Sequence, residues 1–246
     1  MAPIAIDPDR ELAELKEYLG ESYDHARLQR YEEAVDEELQ EAGDEPTLYR
    51  TSQMYLYNLT AFAMSRTKEP YLGDLTDLVP RGARILDYGC GIGSDGLLLL
   101  EAGYQVGFAD FANPSTEYLR WRLEKRGLEA PIYDLDTSPP EPGWDAAFSF
   151  DVIEHVDDPF GFLANLERLS NLVVVNFLEP LPDEPDVHHE LPIRRLLGHA
   201  ASRRLRRYRR YHRRSHLVLY EPKHGSRLLG QARIAIGRIT GTTSAR

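Results

Sequence analysis

RILDYGCGIGSDGLLLLEAGYQVGFADF, residues Arg84 to Phe111, is the stretch whose reading decides the fold. The apolar pair Ile85-Leu86 reads as a short strand that ends in Asp87. It opens into a turn with glycines at 89, 91 and 93, where the chain can bend tightly and come close to a ligand. The apolar run Leu97 to Leu100 predicts a helix that ends at Gly103, and Val106 to Ala109 predicts a second strand delivering Asp110. Strand, glycine turn, helix and strand make half of a parallel βαβ unit, with a ligand edge where the strands end.

The glycine spacing is GxGxG, and Ser94 stands where a dinucleotide fingerprint would want its third glycine. Asp87, at the mouth of the first strand, would repel a pyrophosphate and attract an ammonium group. On these residues the segment resembles motif I of the class I S-adenosylmethionine-dependent methyltransferases. The resemblance spans roughly residues 81 to 221. It implies an α/β, Rossmann-like, seven-stranded, mostly parallel sheet with a C-terminal antiparallel hairpin and an N-terminal helical addition. The division expected is a helical lid at 1–80, the cofactor-binding core at 81–221 and an appendage or tail at 222–246.

The resemblance also implies S-adenosylmethionine as cofactor and assigns residues to it. Asp87 would face the ammonium of its amino-acid moiety. Gly89, Gly91 and Gly93 would shape the turn, and Cys90 would be a small side chain beside the ligand. The Asp110 carboxylate can accept both ribose hydroxyls, with Phe111 following it. Asp134, with Leu135, would receive the adenine amino group, and Asp151 would close the cofactor edge at the fourth strand.

Beyond Asp110 the alternation continues. Pro114 to Arg126 reads as a helix with Leu119 and Leu123 on one face and Gly127 ending it. Ala130 to Tyr133 and Trp144 to Phe150 read as strands, a helix starts near Asp158-Pro159, and the apolar Leu172 to Phe177 reads as a central strand. Near the C-terminus, Arg206 to Tyr211 and Leu217 to Tyr220 are expected to form a hairpin with the arginine-rich strand at the edge. In the tail, Ile234, Ile236 and Ile239 suggest a weak strand.

The segment DVIEHV, Asp151 to Val156, follows the fourth strand. It is similar to the (D/E)xxEH signature of small-molecule methyltransferases of the ubiquinone-pathway type and of small-RNA 2′-O-methyltransferases. In the RNA enzymes such acids and histidines hold a divalent metal. The matching set here would be Asp151, Glu154, His155 and His188, but Asp replaces the usual Glu and shortens that ligand, which favours a metal-free site. His155, His188 and His189 are the candidate bases near the transferred methyl, because an ordinary imidazole titrates close to neutrality.

Charge organises the chain. Residues 1 to 45 carry 15 acids against 4 bases, and residues 194 to 246 carry 1 acid against 15 bases. The acidic N-terminal stretch has helical period, with Leu12, Leu15 and Leu19 on one stripe, and its charges are expected to be solvated. A second helix is expected over Leu48 to Ser65, where Tyr49, Tyr55, Tyr57 and Phe62 suit either core packing or a lid. Pairing with the acidic N-terminal helices, or with an anionic small acceptor, would account for the arginines. Nucleic acid is not the expected partner, because the rest of the chain is acidic. No apolar run approaches a membrane span, and the lone cysteine with no secretory leader suits a cytoplasmic protein. The expectation is methyl transfer to an O or N atom of a small molecule. The alternatives are a metal-assisted or RNA-directed 2′-O-methyltransferase and a non-catalytic methyltransferase-like subunit.

Overall fold

A computed structural model describes residues 4–31, 33, 38, 45–179 and 190–239. Seven strands form one mixed sheet in the order β3-β2-β1-β4-β5-β7-β6. The chain divides into two compact units, Met1–Pro140 and Glu141–Arg246.

The first unit contains β1 (Arg84–Tyr88), β2 (Gln105–Asp110) and β3 (Ile132–Asp134), all parallel. Its N-terminal helix α1 (Pro8–Leu19) begins where Asp7 accepts the Asp9 and Arg10 N–H groups at 3.1 and 3.2 Å and proline fills the first turn. Short helices α2 (His25–Gln29) and α3 (Glu45–Thr51) precede α4 (Met54–Met64) and α5 (Glu69–Thr76). The single helix expected over Leu48 to Ser65 is therefore two. The break falls at Ser52, whose hydroxyl accepts the Tyr55 N–H at 2.9 Å and so starts a new helix.

Helix α6 (Ser94–Glu101) follows the glycine turn, and α7 (Pro114–Arg126) follows β2. Both ends of α7 are where local chemistry puts them: Asn113 and Thr116 form a reciprocal capping box, and Gly127 is left-handed. Leu119 and Leu123 are buried as expected. Leu15, Leu28, Leu56, Tyr57, Ile92 and Tyr118 form one apolar cluster that packs the N-terminal helices onto α7.

The expectation that the N-terminal charges are solvated is corrected here. Glu11 and Glu14 are buried, and Arg122 of α7 is fully buried between them. The Arg122 guanidinium binds Glu14 at 2.8 Å and also bonds Glu11, while Arg126 holds Glu14 through two bonds of 2.8 and 2.7 Å. Helical period predicted which face of α1 turns inward, but not that acids on that face would meet bases far along the chain.

The second unit contains β4 (Ala146–Ser149), parallel to β5 (Val173–Leu178), then β7 (Ser215–His224) and β6 (Arg203–Tyr211), each antiparallel to its neighbour. The expected hairpin is present, with His212 and Arg213 left-handed at its tip. Helix α8 (Pro159–Leu169) is capped by Asp158, and α9 (Ile193–Ser202) runs into β6. Four arginines of β6 pair with acids inside this unit: Arg203 binds Glu167 at 2.7 Å, Arg204 and Arg206 bind Glu221, and Arg210 binds Glu179 at 2.7 Å.

The weak strand expected near Ile234 to Ile239 is instead part of helix α10 (Arg227–Ile239). Gly230, Ile234 and Gly237 recur at helical spacing and are its buried face. A Cβ at Gly230 would lie 2.3 Å from the Ala201 carbonyl oxygen, and one at Gly237 would lie 2.4 Å from the Tyr208 ring. Glycine at both positions lets the helix lie close against α9 and β6.

Candidate functional site

The turn after β1 is held by its own backbone and by an acid. Gly89, Gly91 and Gly93 all have φ between 51° and 75°, which the absence of a side chain permits. The Gly93 position also leaves no space, since a Cβ there would lie 2.4 Å from Leu119 Cδ1. The Gly91 N–H donates to Asp110 Oδ2 at 2.7 Å and the Phe111 N–H to Asp110 Oδ1 at 2.8 Å. One carboxylate at the end of β2 thus fixes both the turn and the start of the next loop. Burial raises the Asp110 pKa, and those two N–H groups oppose the rise.

Asp87 is buried and accepts the Gly96 N–H at 3.1 Å. Burial, then the negative charge of Asp95, pushes its pKa well above the ordinary carboxylate value, with Lys68 pulling the other way. A Cβ at Gly96 would lie 2.7 Å from Asp87 Oδ2 and 2.3 Å from the Phe108 ring, so glycine there makes room for the carboxylate. The Cys90 thiol is likewise pushed well up, by burial and by the charges of Asp110 and Asp87, which leaves it a poor nucleophile. Beside the turn is a recess lined by Leu59, Phe62, Lys68, Cys90, Ser94 and Asp95. Of the aromatic residues noted in the sequence, Phe62 lines this recess, whereas Tyr57 is a core residue whose hydroxyl accepts the Asp24 N–H at 2.9 Å.

At the end of β3, Asp134 is used locally. Its carboxylate accepts the Asp136 N–H at 3.1 Å and the Thr137 hydroxyl at 2.6 Å, and these bonds hold its pKa below the ordinary value. Leu135 donates its N–H to the Asp110 carbonyl at 3.0 Å, which joins the two strand ends. Arg50 pairs with Asp136 and lies over the Phe111 ring, 4.3 Å from its centroid. Nothing in the sequence points to this contact, because an exposed arginine on a short helix has no periodic signature.

In the second unit, Asp151 follows β4 with φ +55°, a left-handed conformation that is strained for a residue with a side chain. Asn176 of β5 holds it on both sides: Asn176 Oδ1 accepts the Asp151 N–H at 2.9 Å, and Asn176 Nδ2 donates to Asp151 Oδ1 at 2.7 Å. Ser215 of β7 accepts from the same amide at 3.1 Å. Asn176 was not singled out in the sequence; the signal it carries there is that of the single polar residue in VVVNFL, since a buried amide in an apolar strand needs partners.

Glu154 and His155 lie on a single 3₁₀ turn, Ile153–His155, with Glu154 buried and His155 half-buried. His188 and His189 lie outside the described residues. Among the described residues, no group of three or more His, Cys, Asp or Glu side chains is placed to hold a metal ion. After β5, Glu179 accepts from His216 at 2.7 Å, and His216 in turn meets Tyr208 at 2.8 Å. Burial lowers the His216 pKa, and the Glu179 carboxylate opposes that shift.

The comparisons with known proteins agree with this architecture. Residues 61–223 match a family described as a methyltransferase domain. No curated protein matches the chain. Among solved structures, it resembles PH0226 protein from Pyrococcus horikoshii OT3, with TM-score 0.54 and 18% identity over 72% of this chain and 95% of that one. Magnesium protoporphyrin IX methyltransferase from Synechocystis PCC 6803 with bound SAH gives TM-score 0.54 and 14% identity, over 69% of this chain and 88% of that one. TehB from Haemophilus influenzae gives 0.52 and 16%, over 67% and 65% of the two chains. With the family match covering most of its length and the sheet order described above, the chain belongs to the S-adenosylmethionine-dependent methyltransferases of class I fold.

Proposed function

We propose that this methyltransferase acts on an O or N atom of a small-molecule acceptor and binds S-adenosylmethionine at the ends of β1, β2 and β3. The observation that carries the cofactor assignment is the pair of acids, Asp87 and Asp110, set around a glycine turn that Asp110 itself holds. The donor set fits the ligand. Asp87 is a buried carboxylate that a cationic ammonium would stabilise, and each Asp110 oxygen keeps a lone pair for a ribose hydroxyl after accepting its backbone N–H. Phe111 and Leu135 offer apolar surface beside Asp134 for a base. The helices within 1–80 serve as a lid, which the positions of Leu59 and Phe62 in the recess support.

S-adenosylmethionine supplies, when bound, a sulfonium methyl as electrophile. The chain's own contribution is to hold cofactor and acceptor in line and to take up the acceptor's proton. His155 is the described candidate for that proton, with His188 and His189 as the other two. The arginine-rich stretch from 194 to 214 supports an anionic acceptor, although Arg203, Arg204, Arg206 and Arg210 of its ten arginines are already paired with acids. Asp151 shapes the cofactor edge after β4, where its carboxylate is engaged by Asn176 at 2.7 Å.

The cofactor assignment is tested by titrating S-adenosylmethionine into Asp110→Ala. A loss of about 1–3 kcal/mol of binding free energy is expected, together with lower stability of the free protein, because the Gly91 and Phe111 N–H groups lose their acceptor. Unchanged affinity would remove Asp110 from the site. For the acceptor side, His155→Ala is expected to lower turnover by about 10²-fold or more with little change in cofactor affinity. Activity after exhaustive chelation is expected to stay intact. Loss on chelation with recovery on adding one divalent ion would restore the metal-assisted reading. Cofactor binding without turnover on a broad acceptor panel would favour a non-catalytic subunit.

A further inference from the structure

Helix α10 is two-sided in an unusual sense. At 100° per residue its buried face is Gly230, Ile234 and Gly237, and the opposite arc of about 120° holds Leu228, Leu229, Ala232, Ala235 and Ile236. These face solvent: Leu228 is 79% exposed, Leu229 67% and Ile236 60%. Arg227 and Arg238 flank the arc on one side and Arg233 on the other, with Arg233 donating to the Leu205 carbonyl and Arg238 to the Tyr208 hydroxyl, and the helix carries no acid. A helix that only covered β6 and α9 would put polar residues on this outer face.

We infer that the outer face of α10 docks on an anionic lipid surface, with Leu228, Leu229 and Ile236 entering the headgroup boundary and the exposed Arg227 meeting lipid phosphates. Apolar side chains in the middle of a helix face with arginines at its rims match an interfacial helix lying in the membrane plane. At 13 residues and about 20 Å, α10 is too short to span a bilayer, and no described helix is long and apolar enough to do so. Charge decides among the occupants. The region from 194 to 246 carries 15 bases and 1 acid, so a second copy docked through the same face would bring like charges together. A nucleic acid would engage the arginines but leave the three large apolar side chains in water. An anionic bilayer satisfies both sets of groups.

The experiment is co-sedimentation of the full chain with phosphatidylcholine vesicles, with and without phosphatidylglycerol, at low and high salt. Binding that requires phosphatidylglycerol and weakens with salt is expected. The variant Leu228→Ser/Leu229→Ser/Ile236→Ser should bind at least about tenfold more weakly while keeping its melting temperature, since these side chains are mostly exposed. Leu228→Trp gives an independent reading, with its emission shifting to the blue on the anionic vesicles. Absence of phosphatidylglycerol-dependent binding, equal binding by the triple variant, or an unshifted tryptophan would overturn the inference. A dimer that the triple variant converts to monomer would give the face to a second copy, and RNA binding lost in that variant would give it to nucleic acid; either overturns the lipid assignment.

Discussion

Arg122→Ala is expected to lower the unfolding free energy by about 3–5 kcal/mol, because it leaves Glu11 and Glu14 buried without their shared counter-ion. For a chain of this size that is a fall of roughly 10 °C in melting temperature. The guanidinium is fully buried, and besides the two acids it donates to the Ile92 carbonyl at 2.9 Å and the Ser94 hydroxyl at 2.8 Å. Ser94 in turn donates to Glu11 at 2.7 Å. Ile92 and Ser94 belong to the glycine turn and its helix, so the variant should weaken cofactor binding as well as the fold. Exchanging Arg122, Arg126, Glu11 and Glu14 together for apolar residues of similar volume should recover much of the stability, which a simple loss of packing would not predict.

The same cluster sets a pH dependence. Burial alone would raise the Glu14 pKa, but hydrogen bonds and charges from Arg126 and Arg122 outweigh it and hold the group below its ordinary 4.5. A depressed folded-state pKa contributes stability that is present above 4.5 and disappears as pH falls through the folded value. Thermal unfolding scanned downward from neutrality should show this acid loss in the wild type and much less of it in the variant with all four residues made apolar.

Asp87→Asn is expected to do two opposite things: raise the stability of the free protein and weaken S-adenosylmethionine binding by about 100-fold or more, the cost of removing one member of a buried charge pair. The wild-type carboxyl is held above its unfolded value of 3.8. Its stabilising contribution is therefore complete below 3.8 and lost as pH rises through the folded value, so burying this acid costs stability once the pH exceeds 3.8. Asparagine removes that burden and still offers an oxygen to the Gly96 N–H. The cationic cofactor relieves it differently, by favouring the ionised acid. Binding should accordingly release a proton and tighten as pH rises through the raised Asp87 pKa, which calorimetry in two buffers of different ionisation enthalpy measures. A destabilised Asp87→Asn that binds cofactor normally would show that the carboxylate does not face the ammonium.

What the sequence disclosed follows the reach of its signals. The glycine turn, the acids that end β1 and β2, and both ends of α7 are written in residues within a few positions of one another, and the structure has them there. The hairpin of β6 and β7 was legible because LVLY is apolar enough for an inner strand while its partner is arginine-rich. The buried acids were not legible: Glu11 and Glu14 meet Arg122 from 111 and 108 positions away, and an acid on a helix reads the same whether it meets water or an arginine. Helix α10 was missed because two of the three residues of its inner face are glycines, which carry no hydrophobic signal, while its isoleucines suggested a strand. At the acceptor side the histidines were placed by resemblance alone, and Asn176, Glu179 and His216 emerged only when the strands were side by side.

The buried charges around Arg122 also bear on where this methyltransferase begins as a physical object. The family match starts at residue 61, and it encloses every glycine and acid assigned to the cofactor. Yet two of the carboxylates that neutralise its interior arginines, Glu11 and Glu14, come from a helix outside that boundary. A fragment cut at the family boundary would retain the whole catalytic vocabulary and lose the grammar, with Arg122 and Arg126 left in an apolar interior without an anion. The unit that recurs among relatives and the unit that can stand in water are, in this chain, different lengths.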